Sequence, residues 1–417
     1  MVFNEAALIH DKECFTRETL TARLSELGFN NLAKMELFLW DLEMFLQIQM
    51  VLQNKVVLKG GAAAQFYIPI EYQRTSVDID MICIADTGEV EKALDSIEKR
   101  FNGEGRFFKF ELHTPKMPKT ELPLLTYYMD IPSVCGMNEV FGGQAGVQEV
   151  KIEFFLLQEI LVTNNIAAPR IFALNTDKTY QIMPINALVG DKLTTLGAKT
   201  IGIPPERADE YIKQVYDTDA LIAFNWKEIN FDKITKYFIY RAGLEAKQRG
   251  IPFDMAPILS DMTDQMDILS AIDFEKNEGL KKLINDFQSL YLRKTVAKSM
   301  AEWAITGSRL GFFIRCLNDG EEGKEKMENV LAMEDLLKFD KVQGEERGKA
   351  VRIFCESFAA NFDKYSCWPA KILKGKYPLR ILWAVVSPAN IEEINDWLKG
   401  YFKGSAIKGT EGWDMQP

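Results

Sequence analysis

The spacing of apolar and polar residues divides the chain into a mixed amino-terminal part and a helical carboxy-terminal part. Residues 15–50 place leucine and methionine three and four positions apart, which predicts two or more amphipathic helices packed on a sheet. Apolar or alternating runs predict strands at 56–58, 77–82, 107–112, 124–131 and 147–156, with a helix at 89–101. From about residue 226 the spacing is helical, over 280–303, 310–317, 330–339, 351–362 and 391–402.

This order of elements predicts an α+β fold, in which a mixed sheet flanked by helices precedes a mainly helical C-terminal domain. We place the boundary near residue 225, so the predicted domains are 1–225 and 226–417. A chain of 417 residues is long enough for both. The acidic stretch 320–325 predicts an exposed loop.

The stretch 56–84 joins a glycine pair to two carboxylates on a predicted strand. The apolar run 56–58 predicts a short buried strand, and Gly60 and Gly61 then allow a sharp turn close to a bulky group such as a phosphate. The residues up to Tyr67 suit a helix, whose free N–H groups would point back at the glycine turn and favour an anion.

Asp78 and Asp80 share one face of the predicted strand 77–82, because successive side chains of a strand alternate. Two carboxylates two residues apart form a hard-oxygen site that suits Mg²⁺ or Mn²⁺. Apolar residues at the other positions argue for an inner strand, where unpaired carboxylates are costly and a cation offsets the cost. The alternative is a solvated face of an edge strand, where Asp-x-Asp is common.

Composition narrows the chemistry that the chain can perform. With two histidines, histidine triads and multi-histidine metal centres are close to excluded, which leaves carboxylates, lysines or metal ions. Six cysteines without a CxxC pair favour reduced thiols over a disulfide framework or a zinc site.

No stretch reaches the roughly 18 apolar residues of a membrane span, and acids occur near the amino terminus, so we expect a cytoplasmic protein without a membrane partner. A net charge of -10 argues against broad nonspecific nucleic-acid binding but allows a local basic groove.

The central stretch resembles the opening motif of the AbiEii/AbiGii toxin nucleotidyltransferases, a branch of the DNA polymerase beta superfamily. That motif pairs a strand and Gly-Gly with a short helix and an Arg-x-Ser-x-Asp-Ile-Asp run. The matching residues are Leu58-Lys59-Gly60-Gly61 and Arg74-Thr75-Ser76-Val77-Asp78-Ile79-Asp80. Ala62 stands where the family usually has Thr or Ser, so a hydroxyl contact to the nucleotide is missing or is supplied by Ser76.

The resemblance implies a polymerase-beta-like sheet with a nucleotide site and a metal site. The implied nucleotide-binding residues are Gly60, Gly61, Arg74, Ser76 and Lys192, and the implied metal ligands are Asp78, Asp80 and Glu153. Glu153 would be the third carboxylate, on a strand beside the aspartate pair, where it binds the metal or accepts the proton of the attacking hydroxyl. The alternatives are a surface Glu153 paired with Lys151, and Asp130 in the same role.

A second signature lies at 185–196, where Lys192 falls on an otherwise apolar helical face. The segment resembles the family's Lys-Leu-x-Ala-Leu helix, which precedes a Lys-Asp-x-x-Asp-Leu helix, and this implies a catalytic Lys192 that neutralises triphosphate charge. In the later helix Gln214 replaces the first Asp, and Asp217 stands for the second, orienting Lys192 or the base, with Asp219 as the alternative. A lysine at a helix edge and surface acids are the structural alternatives.

These features predict a Mg²⁺-dependent nucleotidyltransferase that transfers a nucleoside monophosphate from a nucleoside triphosphate to an acceptor and releases pyrophosphate. The resemblance implies the toxin of a bacterial toxin–antitoxin or phage-defence system, with a cognate antitoxin as partner and tRNA as one acceptor. Lysines and arginines over 281–315 could face an RNA backbone, although such a run is more often a solvated helix face. The alternatives are a catalytically idle fold used as a binding module and a small-molecule enzyme of the antibiotic-modifying type.

Overall fold

The computed structural model describes residues 3–102, 107–114, 123–135, 146–157, 163–167, 171–172, 176–204, 207–337 and 377–396. They form a seven-stranded mixed sheet and many helices, which confirms the predicted α+β class. The strands are β1 Val56–Lys59, β2 Asp78–Cys83, β3 Phe110–Leu112, β4 Leu124–Pro132, β5 Val147–Leu156, β6 Asn164–Ala167 and β7 Thr179–Ile182. The helices are α1 Arg17–Leu27, α2 Leu32–Leu52, α3 Gly60–Gln65, α4 Thr87–Arg100, α5 Ile185–Thr194, α6 Ala208–Phe224, α7 Phe231–Gln248, α8 Met255–Ser270, α9 Glu278–Tyr291, α10 Met300–Cys316, α11 Gly320–Leu337 and α12 Pro378–Val385.

The strand that carries the two aspartates lies inside the sheet. The strand order is β3-β4-β5-β2-β1-β7-β6, so β2 lies between β1, its antiparallel neighbour, and β5, its parallel neighbour. The buried positions of β2 alternate with half-buried ones, as expected when one face packs on the core. The prediction of an inner strand for Asp78 and Asp80 is therefore confirmed.

Helix α2 is buried almost throughout its length, because apolar residues occupy every side of it. The carboxylate of Glu43 on this helix is satisfied by donors from the amino-terminal segment, namely the backbone N–H groups of Ile9 and His10. His10 also places its Nδ1 2.6 Å from Glu43 Oε2 and its Nε2 3.1 Å from the hydroxyl of Tyr180. This buried chain of polar groups ties the amino-terminal segment to α2 and β7.

The chain divides into two compact units. The first takes in residues up to Ile229 together with Lys233–Asp261 and Glu278–Ala297. The second takes in Asn230–Asp232, Met262–Asn277 and the described residues from Lys298 onward. Every residue of the predicted site lies in the first unit. The domain boundary near residue 225 stays a prediction.

The second unit has its own buried polar contacts. Arg380 on α12 is 0% exposed, and its Nη2 donates to Asp273 Oδ1 at 2.9 Å and to the carbonyl oxygen of Ser270 at 2.7 Å. The indole N–H of Trp383 donates to Glu334 Oε2 at 3.0 Å. Because these donors have acceptors, the cost of burying the Arg380 and Trp383 side chains is reduced.

Two predictions about the helical part need correction, and a third concerns residues that the structure does not describe. The helical spacing over 280–303 covers two helices, because Ser299 and Glu302 form a capping box that begins α10. The loop predicted at 320–325 is wrong, since these residues are the first turns of α11. The helix predicted at 351–362 lies outside the described residues, as do parts of those at 330–339 and 391–402. Across the described residues, no helix combines the length and apolar character that a membrane crossing requires.

Candidate functional site

Strand register brings the predicted carboxylates onto one face of the sheet. β5 runs parallel to β2 and places Glu153 opposite Asp80 and Lys151 opposite Asp78. β1 places Lys59 opposite Asp80 from the other side. Residues directly opposite each other in neighbouring strands share a face and have close Cβ atoms. We call this set of five side chains the carboxylate face.

Glu153 has a cation of its own on the carboxylate face. The ammonium of Lys151 lies 3.0 Å from Glu153 Oε1, and the two side chains are 24% and 23% exposed. Thr126 Oγ1 also donates to Glu153 Oε1, at 3.3 Å. The pairing that was the alternative to a metal-ligand role is therefore present, on the same face as Asp78 and Asp80. The competing Asp130 lies opposite Glu149 in the β4–β5 register, further along both strands.

The two aspartates lie in surroundings that destabilise their ionised forms. Burial raises the pKa of Asp80, the charge of Glu153 raises it further, and Lys59 and Lys151 act in the opposite direction. The pKa of Asp78 is also raised, first by burial, with Lys151 lowering it and Asp80 raising it. Burial lowers the pKa of Lys151, but Glu153 and the two aspartates outweigh it, so the net shift is upward. Added positive charge would therefore stabilise this face.

The donor set of the carboxylate face suits a hard divalent cation. Asp78 and Asp80 offer carboxylate oxygens on one strand face. Mg²⁺ is usually bound by one or two protein carboxylates, so these two side chains are suitable ligands. Burial raises the pKa of both groups more than the neighbouring lysines lower it, so their negative charges are only partly compensated. Within the described parts of the chain, no group of three or more His, Cys, Asp or Glu side chains is arranged to hold a metal ion. Asp78 and Asp80 thus fit such a cation, and the role of Glu153 as a ligand stays a prediction.

The glycine turn packs directly on the carboxylate face. Gly60 has φ +71°, which glycine adopts freely, and a Cβ added there would collide with the carboxylate of Asp80. A Cβ on Gly61 would lie 2.7 Å from Arg74 Nη2 and 3.0 Å from Ser76 Oγ. The structure therefore brings together four predicted nucleotide-binding residues and one predicted metal ligand around a turn that admits no side chain.

Behind this turn, Asp217 holds two cations. Arg74 Nε donates to Asp217 Oδ1 at 2.8 Å, and its Nη2 donates to Oδ2 at 2.7 Å. Lys192 Nζ donates to Asp217 Oδ2 at 2.8 Å and to Gln214 Oε1 at 2.6 Å. We call Arg74, Lys192 and Asp217 the Asp217 cluster. The Lys192 side chain is 2% exposed, so it does not lie at a helix edge, and Gln214 supplies an acceptor for it at the position where this sequence departs from the family motif.

The Asp217 cluster carries more positive than negative charge. Burial raises the pKa of Asp217, but Arg74 and Lys192 outweigh it, so the pKa is lowered. The pKa of Lys192 is lowered, first by burial and also by Arg74, while Asp217 opposes the shift. Two cations on one carboxylate leave a net positive charge, which suits an anionic phosphate nearby. The proposed contacts to nucleotide stay predictions.

Asp191 is a residue that sequence reasoning did not assign. Its Oδ2 lies 3.2 Å from the ammonium of Lys59, and its Oδ1 accepts from Arg241 Nε at 2.7 Å. Burial raises the pKa of Asp191, but Lys59 and Arg241 outweigh it and lower it to about 2. Asp191 thereby anchors α5 to the strand that enters the glycine turn. Its position next to Lys192 in the sequence was the signal that could have identified it.

Tyr291, the last residue of α9, was also missed. Its hydroxyl accepts from Lys34 Nζ at 2.8 Å, and its carbonyl oxygen accepts from the backbone N–H of Thr75 at 3.1 Å. Burial raises the pKa of this phenol, but Lys213 and Lys34 outweigh it, so the pKa is lowered. No local pattern could link Thr75 to a residue so distant in the sequence.

A third missed residue is Asp41 on α2. It is 1% exposed, and among the described residues neither of its carboxylate oxygens has a hydrogen-bond partner. Burial raises the pKa of Asp41 well above its ordinary value, and Asp78 and Asp80 add to the shift. The protonated form is therefore favoured, which lowers the cost of keeping this carboxyl in the core.

The basic run predicted to face RNA is partly engaged in local ion pairs. Lys281 Nζ lies 3.2 Å from Glu278 and Lys282 Nζ lies 3.1 Å from Asp286, both on the same helix. Such exposed pairs contribute little free energy and are typical of a solvated helix face. The structure adds no support for an RNA contact at these two lysines.

The inner Asp-x-Asp strand, its parallel neighbour and the glycine turn against it have the architecture of a polymerase-beta-like nucleotidyltransferase. Residues 45–303 match the family model described as "Nucleotidyl transferase AbiEii toxin, Type IV TA system". This match covers more than half of the chain, which belongs to that family. The chain is thus a nucleotidyltransferase toxin of a type IV toxin–antitoxin system, and the resemblance inferred from the motifs is confirmed. No curated protein with which the chain was compared matches it.

Proposed function

We propose that this chain transfers a nucleoside monophosphate from a nucleoside triphosphate to an acceptor hydroxyl or phosphate. The acceptor oxygen forms a bond to the α-phosphorus, the bond from that phosphorus to the bridging oxygen of the β-phosphate breaks, and pyrophosphate leaves. The observation that carries the proposal is the contact between the Gly60 turn and Asp80, which leaves no room for a side chain between them. A backbone turn without side chains, packed on a carboxylate strand, allows phosphates to approach both.

Asp78 and Asp80 would hold Mg²⁺ or Mn²⁺. When bound, the cation neutralises phosphate charge and lowers the pKa of the acceptor hydroxyl. Gly60 and Gly61 would let the backbone approach the triphosphate. The hydroxyl of Ser76 lies beside Gly61 and would donate a hydrogen bond to a phosphate oxygen. The net positive charge of the Asp217 cluster would attract the triphosphate from behind the turn.

The biological setting is also part of the proposal. We propose a cognate antitoxin as protein partner, tRNA as the acceptor and phage defence as the context. The family description supports the first of these, since it names a toxin–antitoxin system. The acceptor and the context rest on the motif resemblance.

A catalytically idle binding module is the second candidate. It is favoured by Lys192, whose buried ammonium already has two acceptors and so could act as a structural cation. Ala62, which lacks the hydroxyl usual in the family, points the same way.

Each of the four nucleoside triphosphates, labelled at the α-phosphate, would be incubated with the protein, Mg²⁺ and one acceptor fraction: purified tRNA, total RNA or a small-molecule extract. We expect label in tRNA that is lost in Asp78→Asn and retained in Asp95→Asn, a control on an exposed aspartate paired with Lys99. Label confined to small molecules would indicate an antibiotic-modifying type of enzyme. No label in any fraction would contradict transfer and favour the binding module.

A further inference from the structure

Lys151 lies among three carboxylates of the site described above. It pairs with Glu153 at 3.0 Å, and the register places it opposite Asp78 on the same sheet face. The charges of Glu153, Asp78 and Asp80 all act on its ammonium. Its side chain is 24% exposed, so the pair forms at the accessible edge of the carboxylate face rather than in the core.

The balance of charge on this face decides how many cations it can hold. Three ionised carboxylates without a cation of their own would carry three negative charges and could bind two divalent ions, as paired-metal sites do. The ammonium of Lys151 neutralises one charge and engages an oxygen of Glu153. Lys59, the other cation of this face, is paired with Asp191 at 3.2 Å. The remaining two negative charges, on Asp78 and Asp80, therefore match one divalent cation.

We propose that Lys151 serves as the built-in second cation of this site. The chain then holds a single divalent ion on Asp78 and Asp80, and Glu153 is not a metal ligand while Lys151 is present. This differs from the ligand role predicted for Glu153 from the sequence. The inference rests on the proposed function for the metal-binding role of the two aspartates, and it deepens that function by fixing the number of ions.

The physical basis is electrostatic repulsion. A second divalent ion at Glu153 would lie close to the ammonium of Lys151, which pairs with this carboxylate and lies on the same face of the sheet. Removing the ammonium ends that repulsion. Replacing lysine with arginine keeps the charge, so it should keep the exclusion.

The test is a titration with Mn²⁺, in which the free ion is followed by electron paramagnetic resonance, without nucleotide or acceptor. We expect the wild type to bind a single ion per chain, and Lys151→Met to bind a second ion or to bind the first about tenfold more tightly. Lys151→Arg should behave as wild type. Lys109→Met is the matched control, because Lys109 pairs with Glu111 at the same two-residue spacing but on an exposed surface. Thermal unfolding of each variant checks that it is folded.

The glutamate itself supplies the second readout. Glu153→Gln removes one negative charge from the face and should weaken the single Mn²⁺ by about tenfold at most, whereas Asp80→Asn, which removes a ligand, should abolish binding. Two ions in the wild type, unchanged binding in a folded Lys151→Met, or equal losses in Glu153→Gln and Asp80→Asn would each overturn the inference. Absence of Mn²⁺ binding in both the wild type and Lys151→Met would also overturn it. Because no transfer is measured, an inactive protein with the expected Mn²⁺ binding would contradict the proposed function and leave this inference standing.

Discussion

The carboxylate face and the Asp217 cluster lie on the two sides of the glycine turn and have opposite charge imbalances. The first is partly open, and burial raises the pKa of Asp78 and Asp80 more than the neighbouring lysines lower it. The second is sealed, and its two cations lower the pKa of Asp217. A cation with a polyphosphate would satisfy both imbalances at once. The Asp217 cluster is therefore stable only as a closed set of ion pairs, whereas the carboxylate face has negative charge that an external cation can neutralise.

Removing the carboxylate of the Asp217 cluster should change the stability of the protein most. Asp217→Asn leaves Arg74 and Lys192 buried without their shared anion, so the free energy of unfolding should fall by about 3 to 5 kcal/mol. Chemical denaturation measures this, with the exposed Asp209→Asn as the control on the same helix. A loss no larger than that of the control would show that the cluster is not held by its ion pairs.

The next effect is on activity, at the open region. Asp80→Asn should lower the transfer rate by at least about two orders of magnitude, because the acceptor and phosphates lose their cation. The midpoint of thermal unfolding should not fall, since the substitution removes an uncompensated negative charge. A large drop in that midpoint with the rate preserved would reverse the contrast between the two regions.

The pH dependence of stability tests the same contrast at Asp191, which binds Lys59 of the carboxylate face and has both carboxylate oxygens in ion pairs. Its pKa of about 2 in the folded protein lies below that of the unfolded chain, so the ionised form stabilises the fold. This stabilisation, about 2 to 3 kcal/mol, is present above pH ~4 and is lost as the pH falls toward ~2. Urea unfolding across this range should show a steeper loss for the wild type than for Asp191→Asn, and parallel curves would contradict the assignment.

The smallest effect concerns the turn itself. Gly61→Ala places a Cβ against Arg74 and Ser76, so one of them must shift, at a cost of about 1 to 3 kcal/mol. Gly243→Ala is the control, since a Cβ there meets nothing within 4 Å and alanine favours the helix. Both glycines lie in helices and gain the same propensity, so denaturation should show Gly61→Ala to be less stable than Gly243→Ala by about 1 to 3 kcal/mol. Equal stability would mean that the turn has more room than its contacts indicate.

The local parts of this architecture could be predicted from the sequence. The two-residue alternation around Asp78 placed it and Asp80 on one face, and the apolar face around Lys192 predicted its burial, because both patterns depend on neighbouring residues. The motif resemblance then identified the glycine turn. These features need no knowledge of how distant segments pair.

The remaining parts depend on contacts between distant segments. Whether Glu153 pairs with Lys151 or faces Asp80 could not be decided from its strand, and the register shows that both hold. The acidic run 320–325 read as a loop by composition, yet acids at a helix start favour the positive end of its dipole, and the run begins α11. The predicted strand 107–112 shortens to Phe110–Leu112, because Phe108 has φ 59°, outside the strand region.

The backbone hydrogen bond from Thr75 to Tyr291 determines when the site can be completed during translation. The residues from Gly60 to Asp80 leave the ribosome early, but the N–H of Thr75 gains its partner after the chain has been synthesised through Tyr291. A nascent or truncated chain that stops earlier lacks this closure on the segment between Arg74 and Ser76. During translation of the toxin, the site is thus completed late, after most of the first unit has been synthesised.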